Sequence, residues 1–123
     1  MAEPTPSLDP EDAKIVALAR SARLRAYVPH RGGGEGAAVR DTDGRTYAAA
    51  TVEHTDPALT TSALRAAVVA AASSGARGFE AAAVVTASPT VAEADLAILR
   101  EFGTGVPVLV ISPDGTPHPP LTT

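Results

Sequence analysis

The 123-residue chain has no cysteine, no tryptophan, and only two tyrosines and two phenylalanines. Without cysteine there can be no disulfide framework, thiol nucleophile or thiolate metal site. Aromatics at 3% leave few platforms on which bases could stack, so the core must be built from Ala, Val, Leu and Ile. Positive charge is also scarce: ten Lys and Arg face fourteen Asp and Glu, Lys14 is the lone lysine, and the net charge is −4. A nucleic-acid surface needs clustered cations to displace counterions, so no nucleic-acid partner is expected. No apolar run approaches a membrane span, so no membrane partner is expected. Met1-Ala2-Glu3-Pro4 offers no basic stretch leading into an apolar one, so no secretory signal is read and the expected location is cytoplasmic.

What is present suits one α/β domain with a substantial core. Residues 1–7 are polar and Pro-containing and are expected to be disordered, with the domain over 8–112. Asp9 is a good helix cap, Pro10 fits the first helical position, and Glu11 and Asp12 suit the positive end of the dipole. Ile15, Leu18, Ala19 and Ala22 recur at helical spacing, and Pro29 predicts an end near Tyr27. Gly36–Arg40 and Arg45–Val52 read as strands joined by a tight turn at Asp43-Gly44. Thr60–Ser74 reads as a second helix closed by Gly75, and Phe79–Thr86 as a buried strand. Thr90–Phe102 reads as a third helix, with Thr90 and Glu93 as its capping box. Val106–Ile111 is a β-branched run suited to a sheet covered on both faces. The Pro-rich segment 113–123 predicts a flexible tail that adds neither helix nor strand. A strand–helix–strand ending implies a right-handed parallel crossover, hence a mixed sheet with helices on both faces.

One stretch is more specific than any of these. Ser62-Ala63-Leu64-Arg65-Ala66-Ala67 resembles the first active-site motif of the cytidine deaminases, C-A-E-R-A-A, with Ser62 at the Cys position and Leu64 at the Glu position. Other stretches follow the same family in order. Ala26-Tyr27-Val28-Pro29-His30 resembles A-Y-x-P-Y, Gly36-Ala37-Ala38-Val39 resembles V-G-A-A-L, and Thr51-Val52-Glu53-His54 resembles N-V-E-N. Ala82-Ala83-Val84-Val85 resembles the strand before the second metal motif, and Glu101-Phe102-Gly103 the E-F-G that closes the third helix. Counting back from Phe102, the two Cys of the family's P-C-G-x-C-R-Q fall at Ala92 and Asp95. The resemblance implies the three-layer α/β/α cytidine-deaminase-like fold. It also implies homo-oligomerisation as a dimer or tetramer.

It further implies what has been lost. The family's three zinc ligands correspond to Ser62, Ala92 and Asp95, and its proton shuttle to Leu64. A hydroxyl is a poor zinc ligand, a methyl is none, and only the carboxylate remains. Bound zinc lowers the pKa of water from about 16 to about 7, and that shift is worth about 12 kcal/mol of nucleophile generation. A family Glu then moves protons among water, ring nitrogen and leaving ammonia, which Leu64 cannot do. The expectation is therefore a pseudoenzyme with no cofactor, its zinc absent, serving as a binding, regulatory or assembly module. The alternative is a divergent hydrolase acting on a nucleoside or related small molecule. The vestigial pocket would comprise Thr51, Glu53, Ser62, Arg65 and Asp95, with a nucleoside-like molecule or a protein as partner.

Ser62 admits two readings: a helix-capping hydroxyl, or a nucleophile at a helix N-terminus with His54 or Asp95 as base. A replacement metal site would need His30, His54, Glu53 or Asp95, whose spacing matches no ligand motif such as H-x-x-x-H. Arg65 matches the family's Arg beside the thiolates. If buried it needs a counter-charge, and an Arg65–Asp95 ion pair is expected where the metal would sit.

Overall fold

A computed structural model describes residues 8–123; the expected disorder over 1–7 lies outside the described residues. The first helix, α1, spans Pro10–Arg23. Asp9 caps it, its Oδ1 accepting from the Glu11 amide at 2.9 Å. Ile15, Ala19 and Ala22 form the buried stripe. The helix stops a turn short of Tyr27. The cause is that Tyr27 leaves the helical path to extend the sheet: its amide donates to Thr51 O at 2.9 Å, and its carbonyl accepts from Glu53 N at 2.7 Å.

Strands β1 (Gly36–Asp41) and β2 (Thr46–Ala50) form the expected hairpin. Asp41 Oδ1 accepts from the Asp43 and Arg45 amides, each at 2.9 Å, and Gly44 takes φ +85° at the tip. Helix α2 spans Ala63–Ser73 and begins later than Thr60. A single 3₁₀ turn at Pro57–Leu59, capped by Asp56, precedes it, and Thr61 is held extended by a reciprocal pair of bonds to Val52. Strand β3 is Phe79–Val85, helix α3 is Glu93–Arg100, and strand β4 is Pro107–Ile111.

The Thr90–Glu93 capping box does not form. Ala92 holds the cap position of α3 with no side-chain bond, Thr90 is turned toward Ser88, and the Glu93 carboxylate accepts from Arg100 at 3.0 Å instead. The C-terminal segment is a second correction. It folds back on the domain, and Leu121–Thr122 form a short strand, β5, antiparallel to β4. Prolines are tolerated there because β5 is an edge.

The sheet order is β2-β1-β3-β4-β5, with β3 and β4 parallel and the other neighbours antiparallel. Alternation along the strands divides the core as a three-layer α/β/α fold requires. Ala37, Val39, Ala82, Val84, Val108 and Val110 face α2 and α3, meeting Leu64, Ala67, Val68, Leu96 and Leu99. Ala38, Ala81, Ala83, Val85 and Ile111 face α1. Phe79 and Phe102 meet edge to face, with centroids 5.6 Å apart, at the far end of the α2/α3 layer. At Gly36 the α1 backbone lies directly on the strand: a Cβ there would sit 2.0 Å from Ala19 O. Among the described residues, no helix is long and apolar enough to cross a membrane.

Candidate functional site

Ser62 caps α2 and Asp95 sits in the first turn of α3, so the packing of these helices brings two positive dipole ends together. Ser62 Oγ donates to Asp95 Oδ1 at 2.8 Å and accepts from the Arg65 amide at 3.3 Å. One hydroxyl thus caps its own helix and ties it to the next. Asp95 is half-buried, and a carboxylate at a helix N-terminus suits the dipole there.

The expected Arg65–Asp95 ion pair is absent. Arg65 is exposed and, among the described residues, pairs with no carboxylate. A solvated guanidinium needs no buried counter-charge, which removes the reason for the pairing. Leu64 is 1% exposed and packs into the core between sheet and helices. Ala92 is exposed and presents only a methyl group.

The donor set does not fit zinc. Of the positions facing one another at the helix starts, Asp95 alone offers an anionic oxygen, and the hydroxyl beside it already bonds that carboxylate. Among the described residues, no three His, Asp or Glu side chains gather into a metal-binding group. His30 and His54 are exposed on loops, with His30 Nε2 3.4 Å from Thr55 Oγ1.

The other half of the expected pocket is tightly bonded within the chain. Glu53 is 3% exposed. Both its oxygens accept from the Arg31 amide at 3.0 Å, Oε1 also accepts from the His30 amide, and Arg31 Nε lies 3.4 Å from Oε2. Burial pushes the Glu53 carboxyl upward, but the His30 and Arg31 amides and the Arg31 charge outweigh it and hold the group below the usual range. Arg31 Nη2 continues to His54 O at 2.7 Å and Thr60 Oγ1 at 3.2 Å. Thr51 Oγ1 accepts from the Glu35 amide at 3.0 Å. Arg31 was not among the residues the sequence singled out. The signal available for it was a glutamate in an apolar stretch, which must find a cation or several donors if it is buried.

A family model described as "Cytidine deaminase-like" matches residues 8–115. No significant match is found among curated proteins. Among solved structures, a cytidine deaminase from Burkholderia pseudomallei is 26% identical, with TM-score 0.80 and 90% of each chain covered. A cytidine deaminase from Mycobacterium tuberculosis is 28% identical, with TM-score 0.74, 89% of this chain and 90% of that one covered. One from Mycobacterium leprae, at 22% identity and TM-score 0.75 over 93% and 94% of the two chains, shares the fold.

Proposed function

The chain belongs to the cytidine deaminase-like family, and we propose that it is a catalytically inactive member, holding no zinc, that serves as a binding, regulatory or assembly module. The observation that carries this reading is the bond between Ser62 Oγ and Asp95 at 2.8 Å. It occupies the position where a deaminase needs ligands for a hydroxide-generating metal. Leu64, buried beside it, has no proton to give. The pairing joins the two helix starts through a neutral hydroxyl and a carboxylate, a structural link that supplies no nucleophile.

Assembly is the favoured form of the module. A nucleoside-like ligand would have to compete with the His30 and Arg31 amides for Glu53. By contrast, the outer surface of α2 and α3 leaves Val69 54% exposed beside a hollow lined by Val68, Val69, Ile98 and Phe102. That supports a homo-oligomer formed through this face. The test is zinc content with ammonia release from cytidine and deoxycytidine, alongside light scattering of the eluted protein. The expected result is no bound zinc, no ammonia above background, and a dimer or tetramer. Stoichiometric zinc with turnover overturns the inactive reading, and a monomer overturns the assembly reading.

A divergent hydrolase is the second reading, favoured by the same hydroxyl lying at a helix N-terminus within bonding distance of a carboxylate. Among the described residues no imidazole hydrogen-bonds to Ser62, whose hydroxyl is engaged by Asp95 and the Arg65 amide. A fluorophosphonate probe decides between the two: covalent labelling at Ser62 supports a nucleophile, and an unlabelled Ser62 leaves only its capping role.

A further inference from the structure

One helix, α1, covers the sheet face opposite α2 and α3, and it lies over β1, β2 and β3. The β4 side of that face meets α1 only at its margin, where Ile111 joins the α1 cluster, and the returning C-terminal segment covers the rest. The turn after β4 is tightly made. Ser112 N donates to Thr116 O at 2.8 Å, and Asp114 accepts from the Ser112 hydroxyl and from the Thr116 amide. These bonds bring Pro117 opposite Ile111 and the His118 amide to Val110 O at 2.8 Å. A turn and prolines fill such a surface less completely than a helix does. A cavity of about 520 Å³ remains, walled by Val16, Leu109, Ile111 and Pro117, with Arg20 and His118 as its polar groups. That volume lies within the range of small-molecule sites.

One charged group distinguishes this cavity from a packing gap. His118 also lines it, but its Nε2 is packed out of reach of a water molecule, so a bound molecule does not meet that nitrogen. Arg20 pairs with no carboxylate among the described residues. Its guanidinium reaches from α1 to the tail turn, where a Cβ on Gly115 would lie 3.6 Å from Nη1. The nearby Asp114 carboxylate is engaged inside its own turn. An apolar wall thus carries a cation that has no carboxylate partner among the described residues and can donate to an anionic group.

We propose that this cavity binds a small organic acid, with an apolar body against Val16, Leu109, Ile111 and Pro117 and its carboxylate held by the Arg20 guanidinium. The site lies on the opposite face of the sheet from Ser62 and Asp95, so it stands or falls independently of the inactive-deaminase reading.

The experiment is a titration of the ¹⁵N-labelled full chain with 3-phenylpropanoate and, separately, with its neutral amide, 3-phenylpropanamide. Saturable shifts are expected at Val16, Leu109, Ile111 and His118, with the acid binding about tenfold more tightly than the amide, as a charge-assisted hydrogen bond provides. Arg20→Gln, at an exposed position without an ion pair, is expected to weaken acid binding by about tenfold and leave amide binding unchanged. Leu109→Trp, which fills the cavity, is expected to abolish both. The proposal is overturned by no saturable shift, by shifts confined to other residues, by equal affinity for acid and amide, or by an Arg20→Gln protein that binds the acid as before.

Discussion

Two halves of the expected pocket are held together in different ways. At the starts of α2 and α3, Ser62 and Asp95 meet through a single hydrogen bond at a half-buried surface. At the start of the neighbouring loop, Glu53 is buried under several donors and a guanidinium. The first region is a light link between two helix starts; the second uses a charged side chain as an internal fastener. A buried carboxylate is stable only with donors around it, so the knot at Glu53 resists change, whereas a hydroxyl–carboxylate pair near solvent has little to lose.

The contrast can be broken or sharpened by substitution. Leu64 should give the largest effect: Leu64→Ala removes a fully packed side chain and is expected to cost about 2–5 kcal/mol in chemical denaturation, because its surroundings collapse only partly. A loss near zero would mean that Leu64 still borders an open pocket. Glu53→Gln should come next, lowering the melting temperature more than Ser62→Ala does, since it removes the charge that the His30 and Arg31 amides and the Arg31 side chain are arranged to hold. The reverse order would dissolve the contrast between the two regions. Ser62→Ala removes one helix cap and one link to Asp95, for an expected loss of about 0.5–2 kcal/mol.

Acid sharpens the same picture. Glu53 and Asp114 both have their carboxyl groups held low in the folded chain. For groups shifted in this direction, the stabilisation is complete above the unfolded-chain value and is lost as pH falls through the folded one. The Ser112 hydroxyl and Thr116 amide pull Asp114 from 3.8 down to about 2, so the C-terminal turn should hold at mildly acidic pH and loosen only as pH approaches 2. Carboxyl carbon shifts give the midpoint, and a value near 3.8 would mean that the turn does not hold its aspartate. Arg65→Ala should do least, within about 0.5 kcal/mol of the parent, because the side chain is exposed and without an ion pair. A larger loss would revive the pairing with Asp95.

Much of the fold was legible because local signals agreed with one another. Asp9-Pro10 starts α1, Asp43-Gly44 makes the hairpin, and the alternation of Ala and Val assigns the two faces of β1, β3 and β4. Where the reading failed, a tertiary partner overrode a local preference. Tyr27 left the helix for Thr51, and Thr90 gave up its cap to a turn around Ser88. Leu121–Thr122 became a strand because β4 had a free edge to pair. In the candidate site, motif position located Ser62 and Asp95, but the ion pair expected for Asp95 was with Arg65, whereas its bond is to the Ser62 hydroxyl. Arg65 matched a family cation by position while its solvent exposure was invisible in the sequence. Arg31, the cation that does hold a carboxylate, lies in a loop without a periodic pattern, and only folding brings it to Glu53.

Zinc-to-protein ratios for the parent chain and Asp95→Ala, each purified from zinc-supplemented culture and assayed for ammonia release from cytidine, test the central claim most directly. The vacated ligand set predicts ratios that are negligible and equal in the two proteins, with no turnover in either. One zinc per chain in the parent, lost with its turnover in Asp95→Ala, would contradict it.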